Sequence, residues 1–144
     1  MKGSRTLLGF DYGSRKIGIA VGQELTGSST PLITLRHSGG NPDWDAITRL
    51  ITQWRPAALV VGIPLNMDDS EQPMTAAARR FARRLNGRYG LPVFETDERL
   101  SSRAALDLLH DEHEHGRRHL NVDEVAAHVI LQTFFSRQQS GDSQ

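Results

Sequence analysis

The sequence predicts an α/β domain built on one mixed five-stranded sheet, a three-stranded antiparallel meander plus two parallel strands, flanked by helices. Three observations carry this. Short apolar runs crowd the first 36 residues with no room for a helix between them. From Asn41 onward, stretches of helical periodicity alternate with further short apolar runs. The resulting order, three strands and then helix, strand, helix, strand and two helices, suits a sheet covered on its faces. Its later strands then run parallel to the first through right-handed crossovers.

Leu7–Phe10 and Lys16–Val21 flank a tight Asp11-Tyr12-Gly13-Ser14-Arg15 turn and read as a hairpin, with Leu32–Arg36 as the third strand. Asn41-Pro42-Asp43 then opens a helix, with Asn41 as N-cap, Pro42 at the first helical position and Asp43 favouring the positive end. Trp44, Ile47, Leu50, Ile51 and Trp54 fall at helical spacing and form one apolar stripe, so both tryptophans read as core. Pro56 ends that helix. Ala58–Val61 is a continuous apolar run, as expected of a strand covered on both faces.

The loop Gly62–Asp69 follows, and Ser70 is a candidate cap for a helix running to about Asn86, with Ala78, Phe81, Ala82 and Leu85 inward and Gly87 and Gly90 closing it. Val93–Thr96 forms the fifth strand. A helix from near Ser101 would bury Ala105, Leu108 and Leu109. Asn121-Val122-Asp123-Glu124 is a capping box for the last helix, whose core face is expected at Val122, Val125, Ala126, Val129 and Thr133. Residues 1–137 read as one domain, followed by a polar, disordered tail over 138–144.

Composition narrows the class. The 38% apolar and 24% charged content fits a globular chain, and no run approaches the roughly 20 apolar residues of a membrane span. The chain has no cysteine, so thiolate metal sites, thiol nucleophiles and disulfides are excluded. The N-terminus lacks the apolar run of a secretory signal, and the expected compartment is the cytoplasm. With a formal net charge of zero, any affinity for nucleic acid must come from a local basic patch.

The predicted topology brings the C-terminal ends of the first, fourth and fifth strands to one edge, where open α/β sheets hold their ligands. Asp11, the Gly62–Asp69 loop and Asp97-Glu98 all lie there. An acid beside a glycine turn, followed at once by Arg15 and Lys16, suits a metal ion held against a phosphate. A turn aspartate also has a purely structural use, and Asp123 would stabilise a helix N-terminus whatever its chemistry. Adjacent residues point to opposite sides, so only one of Asp97 and Glu98 needs to face this site.

Four segments in register carry a resemblance. They are Phe10-Asp11-Tyr12-Gly13-Ser14-Arg15-Lys16-Ile17-Gly18, Val61-Gly62-Ile63-Pro64-Leu65-Asn66-Met67-Asp68, Asp97-Glu98-Arg99-Leu100-Ser101 and Val122-Asp123-Glu124-Val125-Ala126-Ala127. Together they resemble the YqgF/RuvX family of the RNase H-like superfamily, related to the RuvC junction resolvases. Asp69-Ser70 departs from the pattern, since many relatives carry a glycine after the aspartate.

The resemblance implies an RNase H-like fold and a metal-dependent nuclease associated with maturation of the 5′ end of 16S ribosomal RNA. It assigns Asp11, Glu98 and Asp123 as catalytic carboxylates and ligands of Mg²⁺ or Mn²⁺, as two ions. Arg15, Lys16, Asn66 and Arg99 are the candidate substrate-binding groups, with Arg99 equally suited to an internal ion pair. The expected partner is precursor rRNA, with branched DNA as the alternative, and the chain is expected to act as a monomer or homodimer. A nucleic-acid-binding transcription or ribosome-assembly factor is a third reading. The carboxylate set alone does not separate RNA from DNA.

Two other features have plainer explanations. Arg79, Arg80, Arg83, Arg84 and Arg88 could track a nucleic-acid backbone, but such a row is more commonly a solvated helix face. The histidine-rich stretch 110–119 has no convincing zinc-ligand spacing.

Overall fold

The computed structural model describes residues 5–37, 41–65, 68, 70–97 and 122–142. Its elements are β1 (Thr6–Tyr12), β2 (Lys16–Gln23), β3 (Ser28–Arg36), α1 (Trp44–Trp54), β4 (Ala58–Ile63), α2 (Pro73–Tyr89), β5 (Val93–Asp97) and α3 (Val122–Asp142). The sheet order is β3-β2-β1-β4-β5. β1, β2 and β3 pair antiparallel, and β4 and β5 run parallel to β1. This is the expected mixed five-stranded sheet.

Strand alternation divides the side chains between two cores. Leu8, Phe10 and Tyr12 of β1, Ile17 and Ile19 of β2 and Leu59, Val61 and Ile63 of β4 face α1 and α2. Phe81 of α2 anchors this side, edge-on to Phe10 at 5.6 Å and stacked on Tyr12 at 4.7 Å and Trp44 at 5.8 Å. The other face presents Leu7, Ala20, Ala58 and Val60 to Ala127, Ile130, Leu131 and Phe135 of α3. Close packing there requires bare backbone. A Cβ on Gly9 would stand 2.6 Å from Cγ of Leu131, and one on Gly22 would stand 3.0 Å from the Phe135 ring.

Several local expectations are corrected. Asp43, not Asn41, caps α1, its carboxylate accepting from the Ala46 amide at 3.1 Å. Ser70 does not cap α2, because its amide and hydroxyl donate to Asp68 at 3.0 and 2.5 Å. The helix begins at Pro73, with Gln72 as N-cap donating its amide to Thr75 Oγ1 at 3.0 Å. It continues through Gly87 to Tyr89, where Gly90 adopts the left-handed conformation that ends it.

On α3, Val129 and Thr133 are only half-buried, and the face turned to the sheet is Ala127, Ile130, Leu131 and Phe135. α3 also runs past Arg137 to Asp142, and Gln138 donates to the Glu24 carboxylate at 2.9 Å where a disordered tail is expected. The helix expected from near Ser101 and the histidine-rich stretch lie outside the described residues.

Candidate active site at the carboxyl edge of the sheet

Asp11 is the next-to-last residue of β1, and alternation places it with Leu7 and Gly9 on the α3 face. Its partner across the β1–β2 ladder is Gly18. A Cβ built on Gly18 would lie 1.9 Å from the carbonyl oxygen of Asp123, 2.2 Å from its carbonyl carbon and 2.9 Å from its Cβ. The N-terminal turn of α3 therefore rests directly on the bare backbone of Gly18, one strand over from Asp11. Asp11 and Asp123, separated by more than 100 residues of sequence, come to neighbouring positions at this edge because Gly18 lacks a methyl group. Both acids are half-buried, shielded by the sheet and helix yet open to the edge.

The same row crosses the whole sheet. Thr34 of β3 pairs with Gly18, Val61 of β4 pairs with Phe10 so that Gly62 follows beside Asp11, and Thr96 of β5 pairs with Gly62. Thr34 donates its hydroxyl to Glu124 Oε2 at 3.1 Å and so ties α3 to β3 at this level. This bond gives Glu124 a tertiary role beyond the expected capping box, whose Asn121 lies outside the described residues. Thr96 is buried, and its Oγ1 has no hydrogen-bond partner among the described residues. Sequence reasoning missed Gly18 and Thr96. Gly18 carried a signal, since a lone glycine inside a strand marks close backbone approach.

Asp97 does not join the acids. Phe94 packs on Phe134 of α3 at 5.3 Å, while Glu95 reaches Arg79 of α2 at 3.7 Å, so alternation puts Asp97 on the α2 face with Glu95. Glu98, Arg99 and Asn66 lie outside the described residues. Leu65 bridges Glu71, and the Thr75 hydroxyl donates to the Pro64 carbonyl, so the loop after β4 is held to the start of α2.

Arg15 and Lys16 stand exposed at the tip of the β1–β2 hairpin, where Gly13 donates its amide to the Lys16 carbonyl at 2.9 Å. The arginine row on α2 is largely spoken for. Arg79 pairs with Glu71 at 2.7 Å, and the guanidinium groups of Arg84 and Arg88 lie over the Trp44 ring at 4.9 and 4.1 Å.

Carboxylate oxygens are the donors that hard divalent cations take, and the paired acids over a glycine with a buried, unpartnered hydroxyl in the same row fit such an ion. Among the described residues no group of three His, Asp or Glu side chains assembles. Of the three expected acids, Asp11 and Asp123 lie at this edge and Glu98 lies outside the described residues.

A mixed sheet of this order, with helices on both faces, is an RNase H-like fold. Thermus thermophilus RuvC in complex with a Holliday junction shares the fold, with a TM-score of 0.58 at 18% identity over 93% of this chain and 96% of that one. The fowlpox virus resolvase with its junction DNA likewise gives 0.58, at 10% identity over 92% of this chain and 98% of the other.

Nearer relatives share much more sequence. A Nitrosococcus oceani protein named “Putative pre-16S rRNA nuclease” is 54% identical over 94% of this chain and 90% of its own length. An Escherichia coli protein of the same name is 47% identical over 93% and 98%. The family model described as “RuvX: Holliday junction resolvase” matches residues 5–137. The chain belongs to the RuvX family.

Proposed function

We propose that this protein is a divalent-metal-dependent nuclease that processes the 5′ end of precursor 16S rRNA in the cytoplasm, with Asp11, Glu98 and Asp123 as its catalytic carboxylates. The observation that carries the reading is the seating of Asp123 over Gly18, beside Asp11, in a row that otherwise offers only small or polar side chains. The names of these two relatives support the substrate.

Asp11, Asp123 and Glu98 would hold Mg²⁺ or Mn²⁺, as two ions, which when bound lower the pKa of water and offset charge on the attacking and leaving oxygens of the phosphodiester. Asp11, nearest the middle of the sheet, would be the central carboxylate of this set. The rigid β1–β2 ladder and the clamped end of α3 hold the acids in place before substrate arrives, so little reorganisation remains for the reacting complex. Arg15 and Lys16 meet backbone phosphates at the hairpin tip, and Asn66 and Arg99 complete the grip on phosphate or ribose.

The test uses end-labelled precursor 16S rRNA and a four-way DNA junction side by side, with Mg²⁺, Mn²⁺, Ca²⁺ or EDTA. Cleavage of the RNA is expected with Mg²⁺ or Mn²⁺ only. Asp11→Asn should lose more than the roughly 10–100-fold that removal of an outer-shell metal partner costs. Cutting of the junction alone would move the substrate to branched DNA. Binding of either without cleavage would overturn the catalytic assignment in favour of a binding factor.

A further inference from the structure

On the α1 side of the hairpin tip, away from the acid pair, the structure contains a cleft of about 720 Å³. It lies between the β1–β2 turn (Ser14, Arg15), the end of β3 (Arg36, His37) and the approach to α1 (Asn41, Asp43). We propose that this cleft is a second phosphodiester-binding subsite, which holds the nucleic-acid strand where it passes around the tip of the β1–β2 hairpin. The proposal rests on the nuclease reading and deepens it.

Charge is the first argument. Arg15 and Arg36 line the cleft, and Lys16 stands opposite Arg36 in the β2–β3 ladder. Among the described residues none of these three side chains enters an ion pair or hydrogen bond. This contrasts with Arg79, which two glutamates neutralise. The one acid in the lining, Asp43, is engaged with the Ala46 amide at the cap of α1. Ser14 and Asn41 add neutral hydrogen-bonding groups of the kind that meet phosphate and sugar oxygens. The volume lies in the range of about 300–1,000 Å³ that accommodates small ligands, enough for one or two nucleotides.

Preorganisation is the second. His37 is 9% exposed and stacks on Tyr12 at 5.1 Å. Its Nε2 donates to the Gly13 carbonyl at 2.6 Å, and its backbone amide donates to the Arg15 carbonyl at 2.9 Å. The turn bearing Arg15 is therefore pinned from beneath at two points, so little ordering remains when a ligand arrives. A carbonyl only accepts, so Nε2 carries the hydrogen of that bond. The ring Nδ1 is buried and has no hydrogen-bond partner among the described residues. His37 is thus a positioning residue for Arg15.

The test is binding of a fluorescein-labelled precursor 16S rRNA fragment, and of DNA of the same sequence, in Ca²⁺ across a salt series. It compares the wild type, the double variant Arg15→Gln/Arg36→Gln, Asn41→Asp, and Asp11→Asn, with urea melts confirming that each is folded. The double variant is expected to weaken binding by about tenfold or more and to lower the slope of log Kd against log salt by about 1.4 to 1.8, two contacts at 0.7–0.9 each. Asn41→Asp, an exposed change that adds one negative charge to the cleft, should also weaken binding, while Asp11→Asn should still bind. Wild-type Kd and salt slope in both cleft variants would overturn the subsite and leave the nuclease reading standing. A wild-type protein that binds neither nucleic acid would overturn both.

Discussion

Replacing Gly18 by alanine tests the geometry on which the active-site assignment rests. The added methyl would meet the Asp123 carbonyl oxygen at 1.9 Å, whereas ordinary contact begins near 3.4 Å, so strand and helix must part by about 1.5 Å (3.4 minus 1.9). The obstacle is backbone, which cannot rotate away as a flexible side-chain end can. Overpacking of this kind costs about 1–3 kcal/mol, and Gly18→Ala belongs at the upper end. The parting falls on the acid pair itself, and a misplacement of about 1 Å costs on the order of 10²-fold in rate.

The comparison is Gly22→Ala, on the same strand and the same face, where the methyl would press at 3.0 Å on the Phe135 ring, far from the acids. Urea denaturation and single-turnover cleavage of precursor rRNA, read together, separate the two. Gly22→Ala should lose some stability and keep its cleavage rate. Gly18→Ala should lose both. Equal cleavage by the two variants, or wild-type behaviour in Gly18→Ala, would refute the claim that this contact sets the distance between the carboxylates.

Three other substitutions probe separate parts of the chain. Gly87 lies exposed inside α2 with nothing within 4 Å of a built Cβ, so Gly87→Ala should stabilise the fold by about 0.5–1 kcal/mol, read as a higher urea midpoint at unchanged slope. Arg5 grips Glu24 at 2.6 and 2.7 Å, and this hydrogen bonding above all holds the carboxyl down at about 2, below its ordinary 4.5. Its contribution is present above pH 4.5 and lost as pH falls toward 2. Because Arg5 is half-exposed, that contribution is less than about 1 kcal/mol. Arg5→Ala should flatten the stability curve in that window and nowhere else, measured by urea melts across pH.

Burial lowers the His128 pKa below its ordinary 6.5, and Ser29 Oγ lies 2.6 Å from Nδ1. The folded chain then binds fewer protons there than the unfolded one, so this stability is complete above pH 6.5 and declines as pH falls below it. His128→Gln should remove that decline, and a decline of unchanged size in the variant would show that other groups cause it.

What the sequence made legible was whatever a short pattern encodes locally. An apolar run ending in an acid and a glycine turn was enough to place Asp11 at the end of β1. The face of α3 was not legible, because Val125, Ala126, Ala127, Val129, Ile130 and Leu131 are apolar around the whole circumference and no side stands out by periodicity. The sheet makes the choice, offering Gly9, Ala20 and Gly22 as hollows that Leu131 and Phe135 fill. The helix starts misled for a similar reason. Asn41 and Asp43 are both competent caps, as is Ser70, which a local turn to Asp68, two residues earlier, consumes instead. The choice of the α2 face for Asp97 follows from the register of β5 against β4, which no local pattern specifies.

The two faces of the sheet divide the labour between stability and chemistry. On the α1–α2 face, apolar burial continues to the very edge, where Tyr12, Ile17 and Ile63 are buried. On the α3 face it stops one row short. Leu7, Ala20 and Val60 hold Ala127, Ile130, Leu131 and Phe135, while the edge row of Thr34, Gly18, Asp11, Gly62 and Thr96 contributes almost no apolar surface. α3 is thus held by apolar packing from its second turn onward and by the Thr34–Glu124 bond in its first, which together carry Asp123 over the edge. A charged pair can be half-desolvated there because the burial that fixes the helix lies elsewhere. The closeness of the acids is then set by one glycine rather than by mutual attraction between groups that repel.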